Sequence, residues 1–215
     1  MPPASLIQRE DGLVLTDGSL SLRADFSSLL PRVKPGRLQQ ELLVKAAKVK
    51  GVDRPLAIDA TAGLGEDAFL LAAAGFDVVL YERDDVIFAL LQDALARAAT
   101  NPELAAIAAR MEAHHADSIA ALGDLGFRPD VVVLDPMFPA RSKSAAVKKK
   151  FQLIHNLEKP CEDEQALLEA ARAAHPRKIV IKRPVKGPYL ANEKPHYSLS
   201  GKAVRYDCFA FARAD

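Results

Sequence analysis

The chain has 215 residues, 49% hydrophobic and 27% charged, which fits one folded domain with a substantial core and excludes disorder over most of its length. The formal net charge of +1 names no partner, but the charge is unevenly spread. Pro136 to Lys150 carries five Lys/Arg and no acid, and Arg177 to Arg205 carries eight Lys/Arg against the single acid Glu193. Two cysteines, Cys161 and Cys208, exclude a disulfide scaffold and match no zinc spacing. The opening MPPASLIQREDG has no signal-peptide pattern and no apolar run reaches a membrane span, so a cytoplasmic protein is expected.

Residues 1–36 alternate short apolar runs with turn signals. Asp11-Gly12 and Asp17-Gly18 are hairpin dipeptides, which predicts a small β-meander closed by the linker PRVKPG. Residues 37–215 read as a second unit, opened by a helix over Arg37 to Lys50. From Pro55 strands and helices alternate: strand PLAID, glycine turn TAGLGE, helix DAFLLAAAGF, strand DVVLYE, and a helix from Asp84 to Ala98. A strand near Arg110 to His115, the strand DVVVL, the helix CEDEQALLEAARAA, the strand RKIVIKRP and a final antiparallel strand KAVRYDCFAFAR complete the series. Such alternation implies a Rossmann-like α/β fold, a mostly parallel sheet with helices on both faces.

In AIDATAGLGEDAF, Gly63 and Gly65 lie between strand and helix, where glycine lets the backbone bend and approach a ligand. Glu82 ends the next strand, placed to accept hydrogen bonds from ribose hydroxyls. Asp117, with Ser118 beside it, would stand on the same sheet edge, either accepting an adenine amine or capping a helix. GLGEDA also fits a loose nicotinamide-dinucleotide pattern. Asp59, Glu66 and Asp67 around the turn would repel a pyrophosphate, and would suit instead the sulfonium and ammonium of S-adenosylmethionine.

The segment VVVLDPMFPARSKSAAVKKK raises a second question: what needs an acid, a rigid aromatic and a row of cations in that order? Asp135 ends a strand at the cofactor edge, and Pro136 and Pro139 stiffen the loop around Phe138. Phe138 would stack on a planar base, while the Asp135 carboxylate and Pro136 carbonyl accept hydrogen bonds from its exocyclic amine. Arg141, Lys143, Lys148 and Lys149, joined by Lys182 and Arg183 from KRPVKG, would neutralise phosphates of RNA around an unstacked base. His114 and His115 would point to opposite faces of a strand and the other three histidines are isolated, so no metal site is expected. A nicotinamide-dependent oxidoreductase shares the glycine turn, and a non-catalytic RNA-binding protein shares the lysines.

DATAGLGEDAF, LYER, LDPMFPARSKSAAVKKK, VIKRP and PYLAN together resemble the RsmJ-type small-subunit ribosomal RNA guanine-N2 methyltransferases from about Arg37 onward. The resemblance implies S-adenosylmethionine-dependent methylation of a guanosine N2 in small-subunit (16S) ribosomal RNA or in the ribosomal subunit. It implies cofactor contacts at Glu66, Asp67, Glu82, Arg83, Asp117, Ser118 and Asp135. The family often has a basic residue where Glu66 stands and a serine where Asp117 stands, which shifts the implied contacts there towards backbone atoms.

Overall fold

The computed structural model describes residues 4–136 and 163–212. The meander forms as expected: β1 (Ser5–Arg9), β2 (Gly12–Thr16) and β3 (Ser21–Leu22) make a three-stranded antiparallel sheet. Asp17 Oδ1 closes its second turn by accepting from the N–H groups of Ser19 and Leu20. Beyond it, Leu30–Val33 forms the short helix α1, with Pro31 in its first turn, where its missing N–H costs nothing. Part of the expected linker is therefore helical.

The helix expected over Arg37 to Lys50 is shorter than its pattern. A 3-10 turn at Leu38–Gln40 stops at Glu41 (φ −59°, ψ 126°), and α2 spans only Leu42–Ala47. Tertiary bonds set both limits. Arg32 grips the Glu41 carboxylate with two hydrogen bonds of 2.9 and 2.8 Å, and Lys178 Nζ donates to the carbonyls of Ala46 and Lys48, each at 2.8 Å.

The remaining helices are α3 (Glu66–Ala73), α4 (Asp85–Thr100), α5 (Ala105–Ala108), α6 (Ser118–Leu122) and α7 (Glu164–Ala173). Asp84, Asp117 and Asp163 cap α4, α6 and α7 through side-chain oxygens that accept backbone N–H groups. The strands are β4 (Leu56–Asp59), β5 (Asp77–Glu82), β6 (Met111–His115), β7 (Val131–Leu134), β8 (Lys178–Pro184), β9 (Tyr197–Ser200) and β10 (Val204–Ala210). They form one sheet in the order β6-β5-β4-β7-β8-β10-β9. Pairing is parallel from β6 to β8, and β10 runs antiparallel to both β8 and β9. The hairpin strand β9 was not anticipated from the sequence, whereas α6 is the helix that Asp117 was expected to cap as one of its two alternatives.

Alternate residues of the central strands enter two apolar layers. Val131, Val133, Val180 and Tyr206 pack with α2, α3, α4 and Phe26, while Val132, Leu134, Ile181 and Phe209 pack under α6 and α7. Leu15, Leu22 and Phe26 from the first 36 residues lie in the same core as Phe69 of α3, and the Phe26 and Phe69 rings stack with centroids 4.9 Å apart. Segments 1–36 and 37–215 thus share one apolar layer. Among the described residues no helix is long and apolar enough to cross a membrane, and no group of three His, Cys, Asp or Glu is arranged to hold a metal ion. His114 and His115 stack on Tyr81 and Phe88, respectively, and Cys208 is a buried free thiol.

Candidate active site

Strand order reverses beside β4: the chain moves outward through β5 and β6, then returns to β7 on the other flank. A parallel α/β sheet opens a crevice at the carboxyl ends of its strands at such a reversal. Asp59, Glu82 and Asp135 stand at or just beyond the ends of β4, β5 and β7, as their sequence positions suggested.

The glycine turn follows β4. Gly63 (φ +53°) and Gly65 (φ +77°) both occupy the left-handed region, for different uses. A Cβ on Gly65 would lie 2.7 Å from Leu91 Cδ1 and 3.3 Å from Phe26 Cζ, so this glycine lets α3 pack closely. A Cβ on Gly63 would meet nothing within 4 Å, which leaves its backbone open to a ligand. The Gly63 N–H donates to Glu82 Oε2 at 2.9 Å, and the Asp84 N–H donates to Glu82 Oε1 at 2.8 Å. Burial raises the Glu82 carboxyl pKa, and these two N–H groups pull against that shift. Each oxygen keeps acceptor capacity beyond its one backbone bond.

Across β4, Thr61 joins the two carboxylate strands. Its N–H donates to Asp59 Oδ1 at 3.2 Å, and its Oγ1 accepts from the Asp135 N–H at 2.6 Å. Pro136 follows and is buried. Nothing in the sequence distinguishes Thr61 from the rest of the turn TAGLGE, since its link to Asp135 spans 74 residues.

Lys182 requires a correction. Expected on RNA phosphates, it lies between two of the site's acids, with Nζ 2.7 Å from Asp67 Oδ2 and 2.8 Å from Asp135 Oδ2. Burial disfavours the charged amine, but Asp67 and Asp135 outweigh that effect and drive its pKa upward. The Asp135 carboxyl is raised, chiefly by burial, with Lys182 opposing the rise. Asp59 is 2% exposed and pushed up to about 7, first by burial and then by Asp67. Tyr206, opposite Lys182 on β10, is also raised by burial and by Asp67. Two carboxyls, Asp67 and Asp135, face the single Lys182 ammonium, so the cluster stays suited to a cationic ligand even where Asp59 holds its proton.

Arg183 is the second correction. It is 1% exposed, donates from Nε to the Pro188 carbonyl at 2.9 Å and pairs with Glu164, so it is not a surface phosphate ligand. Glu66 is exposed at the start of α3, beside Asp67, and the negative charge of both falls on Arg32. Asp117 caps α6 through Oδ1, with Arg83 Nη1 3.8 Å from its Oδ2, and Ser118 is buried in the first turn. Phe138, Arg141, Lys143, Lys148 and Lys149 lie outside the described residues.

Comparisons with known proteins agree with this chemistry. Residues 4–211 match the family described as "Putative SAM-dependent methyltransferase". The chain is 44% identical over 193 residues to the ribosomal RNA small subunit methyltransferase J of Pseudoalteromonas atlantica, an alignment covering 86% of this chain and 75% of that protein. It is 41% identical over 211 residues to the protein of the same name from Serratia proteamaculans, covering 92% and 85%. A crystal structure of a SAM-dependent methyltransferase from Neisseria gonorrhoeae superposes with a TM-score of 0.79 at 32% identity, over 100% of this chain and 85% of that one. The rRNA methyltransferase aviRa of Streptomyces viridochromogenes shares the fold at 18% identity, with a TM-score of 0.56 over 88% of this chain and 94% of that one.

The acidic cluster, the open glycine turn and the buried Glu82 fit S-adenosylmethionine, the cofactor of this enzyme class. The chain belongs to the SAM-dependent methyltransferase family that includes the ribosomal RNA small subunit methyltransferase J proteins.

Proposed function

We propose that this enzyme methylates the exocyclic N2 amine of a guanosine in small-subunit (16S) ribosomal RNA, in the cytoplasm, on free RNA or on the ribosomal subunit. The observation that carries the reading is Asp135-Pro136 at the end of β7, tied to Thr61 on one side and to Lys182 on the other. Relatives 41–44% identical over most of the chain bear the name of a small-subunit ribosomal RNA methyltransferase.

Bound S-adenosylmethionine supplies a methyl group on a sulfonium, electrophilic toward an amine lone pair. Glu82, Asp59 and the Gly63 backbone would hold it, with Asp67, Arg83, Asp117 and Ser118 around them. Asp135 Oδ1, on the far side of the carboxylate from the Lys182 bond, and the Pro136 carbonyl would accept the two N–H groups of the guanine amine. Those bonds localise the lone pair and aim it. An aromatic amine is weakly basic, and after methylation it is acidic enough to lose a proton to a weak acceptor such as this carboxylate. No histidine base is needed, and rate comes from alignment and fixed charge.

Mass-spectrometric mapping of small-subunit ribosomal RNA from cells with and without the protein tests the reading. Loss of one N2-methylguanosine supports it, and an unchanged modification map overturns it. Asp135→Ala should abolish transfer of labelled methyl groups while retaining much of the cofactor affinity.

A further inference from the structure

The PYLAN stretch at the end of β8 has no part in the reaction as derived, yet it is held with unusual care. Arg205, 7% exposed on β10, places Nη1 2.9, 2.8 and 2.9 Å from the carbonyl oxygens of Pro184, Val185 and Gly187, with Nη2 3.4 Å from that of Pro188. Its other edge pairs with the buried Asp207 at 2.9–3.1 Å. Arg183 Nε reaches the Pro188 carbonyl, and Glu164 Oε2 accepts the Ala191 N–H at 2.9 Å. Ala191 (φ +50°) and Asn192 (φ +56°) are held in the left-handed region, a conformation that costs free energy in non-glycine residues.

Burying two guanidiniums to fix one surface loop is expensive unless its shape matters. What the loop presents is an aromatic: Tyr189 is 37% exposed, with the Arg205 guanidinium 5.0 Å from its ring centroid. The cation supports one side of the ring. Charges on the same loop favour an anion, because Lys186 and Lys194 are exposed while the only acid, Glu193, is engaged by Arg172. Strand β8 ends two residues beyond Lys182, so the loop rises from the sheet edge that carries Asp135.

We propose that Tyr189 is a stacking platform for a nucleotide flanking the target guanosine, with Lys186 on an adjacent phosphate. This rests on the RNA reading above and extends it to a second contact on the substrate strand. Stacking on a fixed aromatic is tolerant of base identity, and a phosphate contact adds salt dependence. Together they would hold the strand while the target base enters the site.

The test compares wild type, Tyr189→Leu, Tyr189→Phe and Lys186→Ala for binding of small-subunit ribosomal RNA at several salt concentrations, for labelled methyl transfer, for S-adenosylmethionine affinity and for melting temperature. Tyr189→Leu should raise the Kd for RNA by about tenfold, with cofactor affinity unchanged, and Tyr189→Phe should stay within about twofold of wild type. Lys186→Ala should lower the slope of log affinity against log salt by about one. Wild-type RNA affinity in Tyr189→Leu, a Phe variant as weak as the Leu variant, or an unchanged salt slope in Lys186→Ala would each overturn the platform. The salt slope also decides the case should Tyr189→Leu melt early. An active wild type with unaffected variants removes this inference alone, whereas a wild type that transfers no methyl group to the RNA removes the proposed reaction with it.

Discussion

Lys182 Nζ lies 2.8 Å from Asp135 Oδ2 and 2.7 Å from Asp67 Oδ2, so a single ammonium ties the end of β7 to the first turn of α3. The acid proposed to orient the substrate and an acid beside the glycine turn are thereby parts of one charge network. Perturbing either should be felt by the other.

Lys182→Met is therefore expected to cut methyl transfer about a hundredfold, the scale of a misplaced orienting group. The Asp135 carboxyl, which Lys182 now holds down, should titrate higher, moving the acid limb of the kcat profile to higher pH. Stability should fall by about 2 kcal/mol, less than for a fully buried pair because a quarter of the lysine side chain is exposed. Lys182→Arg should restore part of the rate and the original pH limb. A pH–rate profile on the three proteins checks this, and an unshifted limb in the Met variant would count against the network.

Asp59 predicts a pH dependence of stability. Its carboxyl rises from the ordinary 3.8 to about 7 through burial, then Asp67, against the Thr61 N–H. Below that window both folded and unfolded chains hold the proton. Within it only the folded chain does, so stability drains away as pH rises towards 7 and stays low above it. Asp59→Asn removes that loss, and its stability relative to wild type should improve by about 3 kcal/mol between about pH 5 and pH 8. Denaturant titrations at the two pH values measure it.

The two turn glycines should fail differently. Gly65→Ala drives a methyl against Leu91 and Phe26 at a left-handed φ, and should cost about 2–3 kcal/mol of stability. Gly63→Ala meets no neighbour, so thermal melts should show only the backbone cost of about 1 kcal/mol. Calorimetry should nevertheless find S-adenosylmethionine affinity reduced about tenfold or more in Gly63→Ala, because the new methyl occupies the open approach.

Glu82→Gln keeps the size of the side chain but offers one amide oxygen where two backbone N–H groups need acceptors. One of those donors loses its partner, at a cost of about 1–3 kcal/mol. Cofactor affinity should fall alongside stability, since the Gly63 N–H anchors the turn. Equal S-adenosylmethionine affinity in wild type and variant would separate Glu82 from the cofactor.

Strand ends were readable because apolar runs stop abruptly at Asp59, Glu82 and Leu134, and a parallel sheet brings such ends to one edge. Element limits were less so. The pattern through Arg37 to Lys50 is helical, but Arg32 and Lys178 bind groups at Glu41, Ala46 and Lys48 from distant segments. Strand β9 has only four residues, three of them exposed, and its pairing with β10 supplies the regularity that its side chains do not signal.

The amino-acid sequence by itself determined the alternation of strands and helices, the glycine turn and the acids at the carboxyl edge of the sheet. Each depends on local pattern or on backbone freedom, which neighbouring residues encode. Tertiary structure alone decided what the basic side chains do. Lys182 and Arg183 are adjacent in sequence and equally cationic, yet alternation along β8 sends one to Asp67 and Asp135 and buries the other against Glu164 and Pro188. A charge takes its role from the partners and burial it finds across the sheet, and composition carries neither.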